Sequence, residues 1–158
     1  MWITKYEPQT FGEVVGNTEI VKRFLTMSKT KYIQHMILCG PPGIGKHLLL
    51  NLLLDRVLGA NKERATLTFS SVSNKSNQVI RERIHQFAPI KITGVNTKFI
   101  VFNQAELLCE GVQHIMRRLM ESHYHNVVFV FVCNSVGNLM EIIQNRCHQF
   151  CFEPITSS

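Results

Sequence analysis

The chain has 158 residues, 45% of them hydrophobic and 18% charged, with a net charge of +6 and a pI near 9.2. That balance excludes a disordered polyelectrolyte and suits one domain with one sizeable core. The longest strongly apolar run, Val127 to Cys133, is far short of the ~20 residues of a membrane helix, and the start Met1 to Lys5 lacks the pattern of a secretory signal.

Taken in order, the elements alternate. His35 to Cys39 reads as a buried strand that runs into Gly40-Pro41-Pro42-Gly43. Lys46 to Leu58 reads as a leucine-rich helix closed by Gly59. Ala65 to Phe69 is a second strand, Asn77 to Ala88 a polar, basic helix stopped by Pro89, and Lys98 to Phe102 a third strand. The spacing of Val112, Ile115, Met116, Leu119 and Met120 predicts a helix over Glu110 to Ser122. Val127 to Cys133, apolar at every position, reads as a strand covered on both faces. A short helix from Met140 to Asn145 and a strand from Gln149 to Phe152 complete the chain. This pattern predicts an α/β fold with a mostly parallel sheet, ligands binding at the carboxyl ends of its strands.

The five cysteines, Cys39, Cys109, Cys133, Cys147 and Cys151, are odd in number and contain no C-x-x-C, as expected of reduced thiols in an intracellular protein. His148 stands between Cys147 and Cys151, but alternation along a strand sends neighbours to opposite faces, so no metal centre is expected there.

Gly40-Pro41-Pro42-Gly43-Ile44-Gly45-Lys46 matches seven positions of the phosphate-loop pattern and lies where that pattern belongs, after a strand and opening a helix. Its glycines let backbone N–H groups turn towards phosphates, and Lys46 brings a charge to the outer ones. The pattern's eighth residue is a hydroxyl that ligates magnesium. Here it is His47, whose imidazole suits a hard, oxygen-seeking ion poorly.

Several blocks together resemble the small subunits of replication factor C, clamp loaders of the AAA+ class. They are Trp2 to Pro8 with Phe11 to Asn17, the phosphate loop, His114 to Glu121 with its Arg117-Arg118, Val132 to Ser135, and Ile143-Gln-Asn-Arg-Cys147. The resemblance spans about residues 2 to 155. It implies a P-loop NTPase (AAA+) core, a five-stranded parallel sheet between helices, within one domain over 1–158. It also implies ATP as ligand, Val15 and Gly16 near the adenine, Asn134 as a sensor of the outer phosphate, and Arg146 as a finger reaching a neighbour's ATP. An ordinary surface salt bridge is the plainer reading of Arg146. Implied partners are other clamp-loader subunits, a sliding clamp and the backbone of primer-template DNA, with no membrane, in a nuclear replication or repair setting. Ser76, Asn77, Arg81 and Arg83 are the DNA-contacting candidates, and a solvated basic face is the equal alternative.

The chain departs from that family at the third strand. Where the family carries Asp-Glu-Ala-Asp, this chain has Asn103-Gln104-Ala105-Glu106. An aspartate would anchor the magnesium shell and a glutamate would polarise the attacking water. Amides do neither well, so ATP binding with poor hydrolysis is expected and magnesium binding is doubtful. Glu106 is expected to lie too far along the chain to substitute. Glu7 replaces a family arginine. The family's helical lid, with its sensor-2 arginine, and its collar are absent, as in a fragment or a natural short form. A fold kept as an interaction module without nucleotide is the alternative function.

Overall fold

Met36–Cys39 (β1), Thr66–Phe69 (β2), Lys98–Phe102 (β3), Val127–Cys133 (β4) and His148–Cys151 (β5) pair into one parallel sheet in the order β2-β3-β4-β1-β5. A computed structural model describes residues 17–70, 77–123 and 126–153. The helices are Thr18–Thr30 (α1), Lys46–Leu58 (α2), Lys62–Ala65 (α3), Asn77–Phe87 (α4), Glu110–Ser122 (α5) and Glu141–Arg146 (α6).

Strand alternation divides the core into two layers. On one face Ile37, Ile100, Phe102, Phe129 and Phe131 meet Ile80 and Ile84 of α4, Met116 and Met120 of α5 and Ile143 of α6. On the other, Met36, Leu38, Phe99, Val101 and Val130 meet Phe24 of α1 and the leucines of α2. β3 and β4 are buried at every position because both faces are covered. Phe69, Phe102 and Phe131 stand in register on adjacent strands and stack at 5.0 and 5.3 Å between ring centres. Offset stacking of this kind adds roughly 1 kcal/mol per pair beyond burial.

The expected architecture is present, with small shifts at the ends. β1 starts at Met36 rather than His35, and β2 at Thr66 because Ala65 closes α3. α4 ends at Phe87 rather than Ala88. α6 runs to Arg146, and β5 from His148 to Cys151. Phe152 still donates its N–H to Cys39 O at 2.7 Å, so the ladder continues one bond further.

Sequence reading left α1 unassigned. Its Ile20, Val21, Phe24, Leu25 and Met27 turn to the second core layer at helical spacing. Gly59 does end α2, at φ 54°.

Lys98, at the start of β3, is 4% exposed. It donates to Phe87 O, to Ala88 O at 2.7 Å and to Ile90 O at 2.5 Å, closing the open carbonyls at the end of α4. Its ammonium also lies 4.8 Å from the centre of the Phe87 ring. Among the described residues no helix is long and apolar enough to cross a membrane.

Candidate nucleotide site

β1 lies between β4 and β5, so the loop that leaves its carboxyl end emerges beside the ends of both neighbours. Gly40 N donates to Cys133 O at 3.2 Å, tying the loop's first residue to the end of β4. A Cβ on Gly40 would lie 2.8 Å from Phe152 O, too close for any side chain there. Gly43 and Gly45 have φ of 76° and 97°, in the left-handed region that glycine enters without strain. Gly45 sits immediately before α2, whose N-terminus therefore faces the loop.

Lys46 is 5% exposed. Its ammonium donates to Gly40 O, to Cys133 O at 2.9 Å and to Asn134 Oδ1 at 3.0 Å. Those acceptors use all three of its hydrogens. The loop, the end of β4 and the start of α2 are thus fastened through one buried cation. A phosphate oxygen would have to take the place of at least one acceptor, and a charge-assisted bond of that kind is the stronger of the two.

A cavity of ≈ 360 Å³ opens over this arrangement, lined by Pro42 to Leu48, Gln104, Glu106, Val132, Cys133 and Asn134. Pro42 to His47, Gln104 and Asn134 are therefore brought together around this cavity. Pro41 is an exposed member of the same loop. His47 has its pKa lowered by partial burial and then by the Lys46 charge, so its imidazole is neutral at neutral pH. Cys133, beneath the loop, is pushed up to about 12 by burial, by the neighbouring Cys39 thiol and by the Glu106 carboxylate, and stays a thiol.

Asn103 behaves differently from Gln104. It is not on the cavity wall, and its Oδ1 is buried with no hydrogen-bond partner, while its N–H donates to Phe69 O at 3.0 Å. Glu106, expected to lie too far along the chain to substitute for the missing carboxylates, lines the cavity. Gln104 adopts φ 53° and begins a 3-10 turn over Ala105–Leu107. The turn folds Glu106 back over the strand ends, where its Oε2 accepts the Asn134 N–H at 2.6 Å. The signal available in sequence was the buried small residue Ala105, which leaves room for so tight a turn.

The donor set bears on magnesium. Such an ion takes oxygen ligands, often one or two carboxylates with phosphates and water making up the rest. Glu106 is the one carboxylate among the described cavity-lining residues, and the orphaned Asn103 Oδ1 lies at the adjoining end of β3. This fits an ion carried in on a nucleotide's phosphates, with Glu106 and Gln104 as the facing oxygens. It does not fit a tight all-protein metal cage.

Arg146 lies elsewhere. It ends α6 beside the amino-terminal edge of the sheet, pairs with Glu121, and lines a cavity with His35, Met120 and Glu121. Arg117 reaches the same carboxylate at 3.7 Å. The four-residue β1, about 13 Å at ~3.3 Å per residue, separates Arg146 from its own phosphate loop. Arg81 and Arg83 are exposed on α4, and Arg83 rests over the Phe69 ring at 4.9 Å. Glu7, Val15, Gly16 and Ser76 lie outside the described residues, as does the side chain of Asn77.

A larger, mostly apolar groove of ≈ 510 Å³ between α1 and β5, lined by Lys22, Tyr32, His148 and Phe150 among others, carries none of the loop's phosphate-facing groups.

Comparison with known proteins agrees with this geometry. The chain is 33% identical over 156 residues to the replication factor C small subunit of Archaeoglobus fulgidus, covering 98% of this chain and 49% of that protein. It is 32% identical over 159 residues to a probable replication factor C subunit 2 of Dictyostelium discoideum, covering 99% and 47%. With replication factor C subunit 4 of Saccharomyces cerevisiae it shares 31% over 148 residues, covering 92% and 46%. The chain spans about half the length of these relatives. No family profile matches it. Among solved structures, RuvB of Thermotoga maritima superposes with a TM-score of 0.70 at 14% identity, over 93% of this chain and 48% of that one. A DNA polymerase III gamma subunit-related protein of the same organism gives 0.67 at 14%, over 82% and 45%. The fold is that of a P-loop AAA+ core, and the sequence is similar to replication factor C small subunits along almost its whole length.

Proposed function

From the likeness of 98% of this chain to a replication factor C small subunit, we propose that it is the nucleotide-holding core of a clamp-loader subunit acting in DNA replication. The observation that carries this reading is the cavity over the phosphate loop, where buried Lys46 and Asn134 face the space that a triphosphate would fill. In this reading the chain binds ATP and hydrolyses it poorly, because Gln104 presents an amide where a base is needed and Asn103 is turned into the protein. Arg146, held at the sheet's far edge, has no route to its own nucleotide and serves a neighbouring subunit instead. Partners of this kind are other loader subunits, a sliding clamp, and a DNA backbone met by the basic face of α4, in the nucleus. Arginines suit a backbone contact without reading sequence.

Calorimetric titration with ATP, with product analysis of the same sample and Lys46→Ala as control, tests the reading. Binding that depends on Lys46 and yields no ADP supports a holding subunit. Turnover at an ordinary AAA+ rate overturns the hydrolysis claim.

A second reading, a nucleotide-free interaction module, draws on the saturation of Lys46 by three protein oxygens. It predicts no ATP binding, and co-purification with loader subunits that survives Lys46→Met.

A further inference from the structure

We propose that Glu106 is the carboxylate of this nucleotide site, the group that faces a divalent cation brought in on the nucleotide's phosphates. The inference rests on the nucleotide-binding reading above and assigns to Glu106 work that neither Asn103 nor Gln104 can do.

Three observations carry it. The first is position. The turn that starts at Gln104 is closed by Leu107 N to Gln104 O at 3.0 Å and Leu108 N to Ala105 O at 3.1 Å. Ala105 is buried beneath the turn, and Glu106 lines the cavity.

The second is connection. Asn134 gives its N–H to Glu106 at 2.6 Å and its Oδ1 to Lys46 at 3.0 Å. One residue therefore spaces the carboxylate from the ammonium, placing a negative and a positive group on the same wall of one small cavity. An outer phosphate would draw on the ammonium, and its counter-ion on the carboxylate.

The third is charge. Glu106 is the one acidic residue among the described residues that line the cavity. Facing a triphosphate alone, it repels. Facing a triphosphate that carries a divalent cation, it attracts, and oxygen is the ligand such a cation takes. Glu106 thus makes nucleotide binding depend on the cation, a dependence that the amides at Asn103 and Gln104 would not create.

The experiment is titration of the whole chain with ATP, once with magnesium and once with a chelator, for the wild type, Glu106→Gln and Glu106→Asp. Lys46→Ala serves as the nucleotide control. Glu106→Gln keeps an oxygen able to accept from Asn134 while removing the charge. The expected wild-type gain from magnesium is on the order of tenfold or more. In Glu106→Gln that gain falls to about twofold, and metal-free ATP binds several-fold more tightly than in the wild type. Glu106→Asp keeps part of the gain. Quenching of water-proton relaxation by manganese, added in place of magnesium, gives a second readout that involves no turnover.

An equal magnesium gain in wild type and Glu106→Gln overturns the proposal while nucleotide binding stands. A uniform loss of affinity with and without the cation also overturns it, since that is the signature of a carboxylate that only braces Asn134. Absence of wild-type binding in both conditions removes the nucleotide reading, and this proposal with it. A Glu106→Gln chain that unfolds leaves the decision to Glu106→Asp, where a gain kept in part supports the proposal and an unchanged one counts against it.

Discussion

Lys46 and Asn134 meet through a 3.0 Å hydrogen bond between side chains 88 positions apart in the sequence. The bond fixes the start of α2 to the end of β4, so the residue that reads as a phosphate contact is also a structural fastener.

Replacing Lys46 by alanine leaves Gly40 O, Cys133 O and Asn134 Oδ1 without their shared donor. Cys133 O keeps the Gly40 N–H and Asn134 is exposed, so the loss falls chiefly on Gly40 O, and a buried acceptor left unpaired costs about 1–3 kcal/mol. Chemical denaturation without nucleotide is expected to show a loss of about 2 kcal/mol, separate from any loss of ATP affinity. A variant as stable as the wild type would mean that the fastener is replaced by water.

The pair Asn103→Asp and Gln104→Glu restores the carboxylates of the resembling family. Expected is an ATPase rate at least about a hundredfold above the wild-type chain when both are present with loader partners, because a base and a metal anchor return together. Asn103 needs the greater adjustment, since its Oδ1 lies in a buried, unpartnered position. A steady-state assay that gives equal rates would place the defect elsewhere, with His47 the next position to change.

Lys98 predicts a large stability effect remote from the cavity. Lys98→Met keeps much of the side-chain volume but removes the donor shared by three carbonyls at the end of α4, of which Phe87 O keeps the Ile90 N–H and Ala88 O keeps the Asn126 Nδ2. The expected cost is about 2 kcal/mol by equilibrium unfolding. Amide exchange in α4 should quicken more than in α2. A change below about 0.5 kcal/mol would contradict the capping role.

His35 makes stability depend on pH. Its Nδ1 accepts the Phe129 N–H at 3.0 Å, and burial, then the Arg146 charge, lowers its pKa from 6.5 to about 4. The folded value lies below the unfolded one, so the unfolded chain binds more protons between them. Stability is therefore full above about 6.5 and falls as pH drops towards 4. His47, His123 and His148 are shifted downward too and add to the same slope. The His35 share, discounted for its partial exposure, is roughly 1 kcal/mol. Thermal unfolding between pH 7 and 5 should show the fall, and His35→Asn should flatten it in part.

The phosphate loop and the strand-helix alternation were legible because neighbours in sequence set them. Glycine spacing, the apolar run Val127 to Cys133 and the helical spacing from Val112 to Met120 each state a local geometry. α1 was equally local, with Ile20, Val21, Phe24 and Leu25 on one stripe, and its omission was a missed pattern rather than missing information. Glu106 was less accessible, since its direction depends on a left-handed Gln104, a conformation that glutamine seldom adopts.

The sequence by itself determined the class of fold and the phosphate loop, both carried by residue types at short spacing, while the amides Asn103 and Gln104 read as departures only beside the family the chain resembles. The tertiary structure alone decided which groups share a cavity. β1 pairs with β4 and β5, which brings Cys133, Asn134 and, through the turn after β3, Glu106 around Lys46. It also set Arg146 and Glu121 against each other at the opposite edge. Those approaches follow from strand order and from packing of helices on two faces, and such long-range choices leave no period in the chain to read.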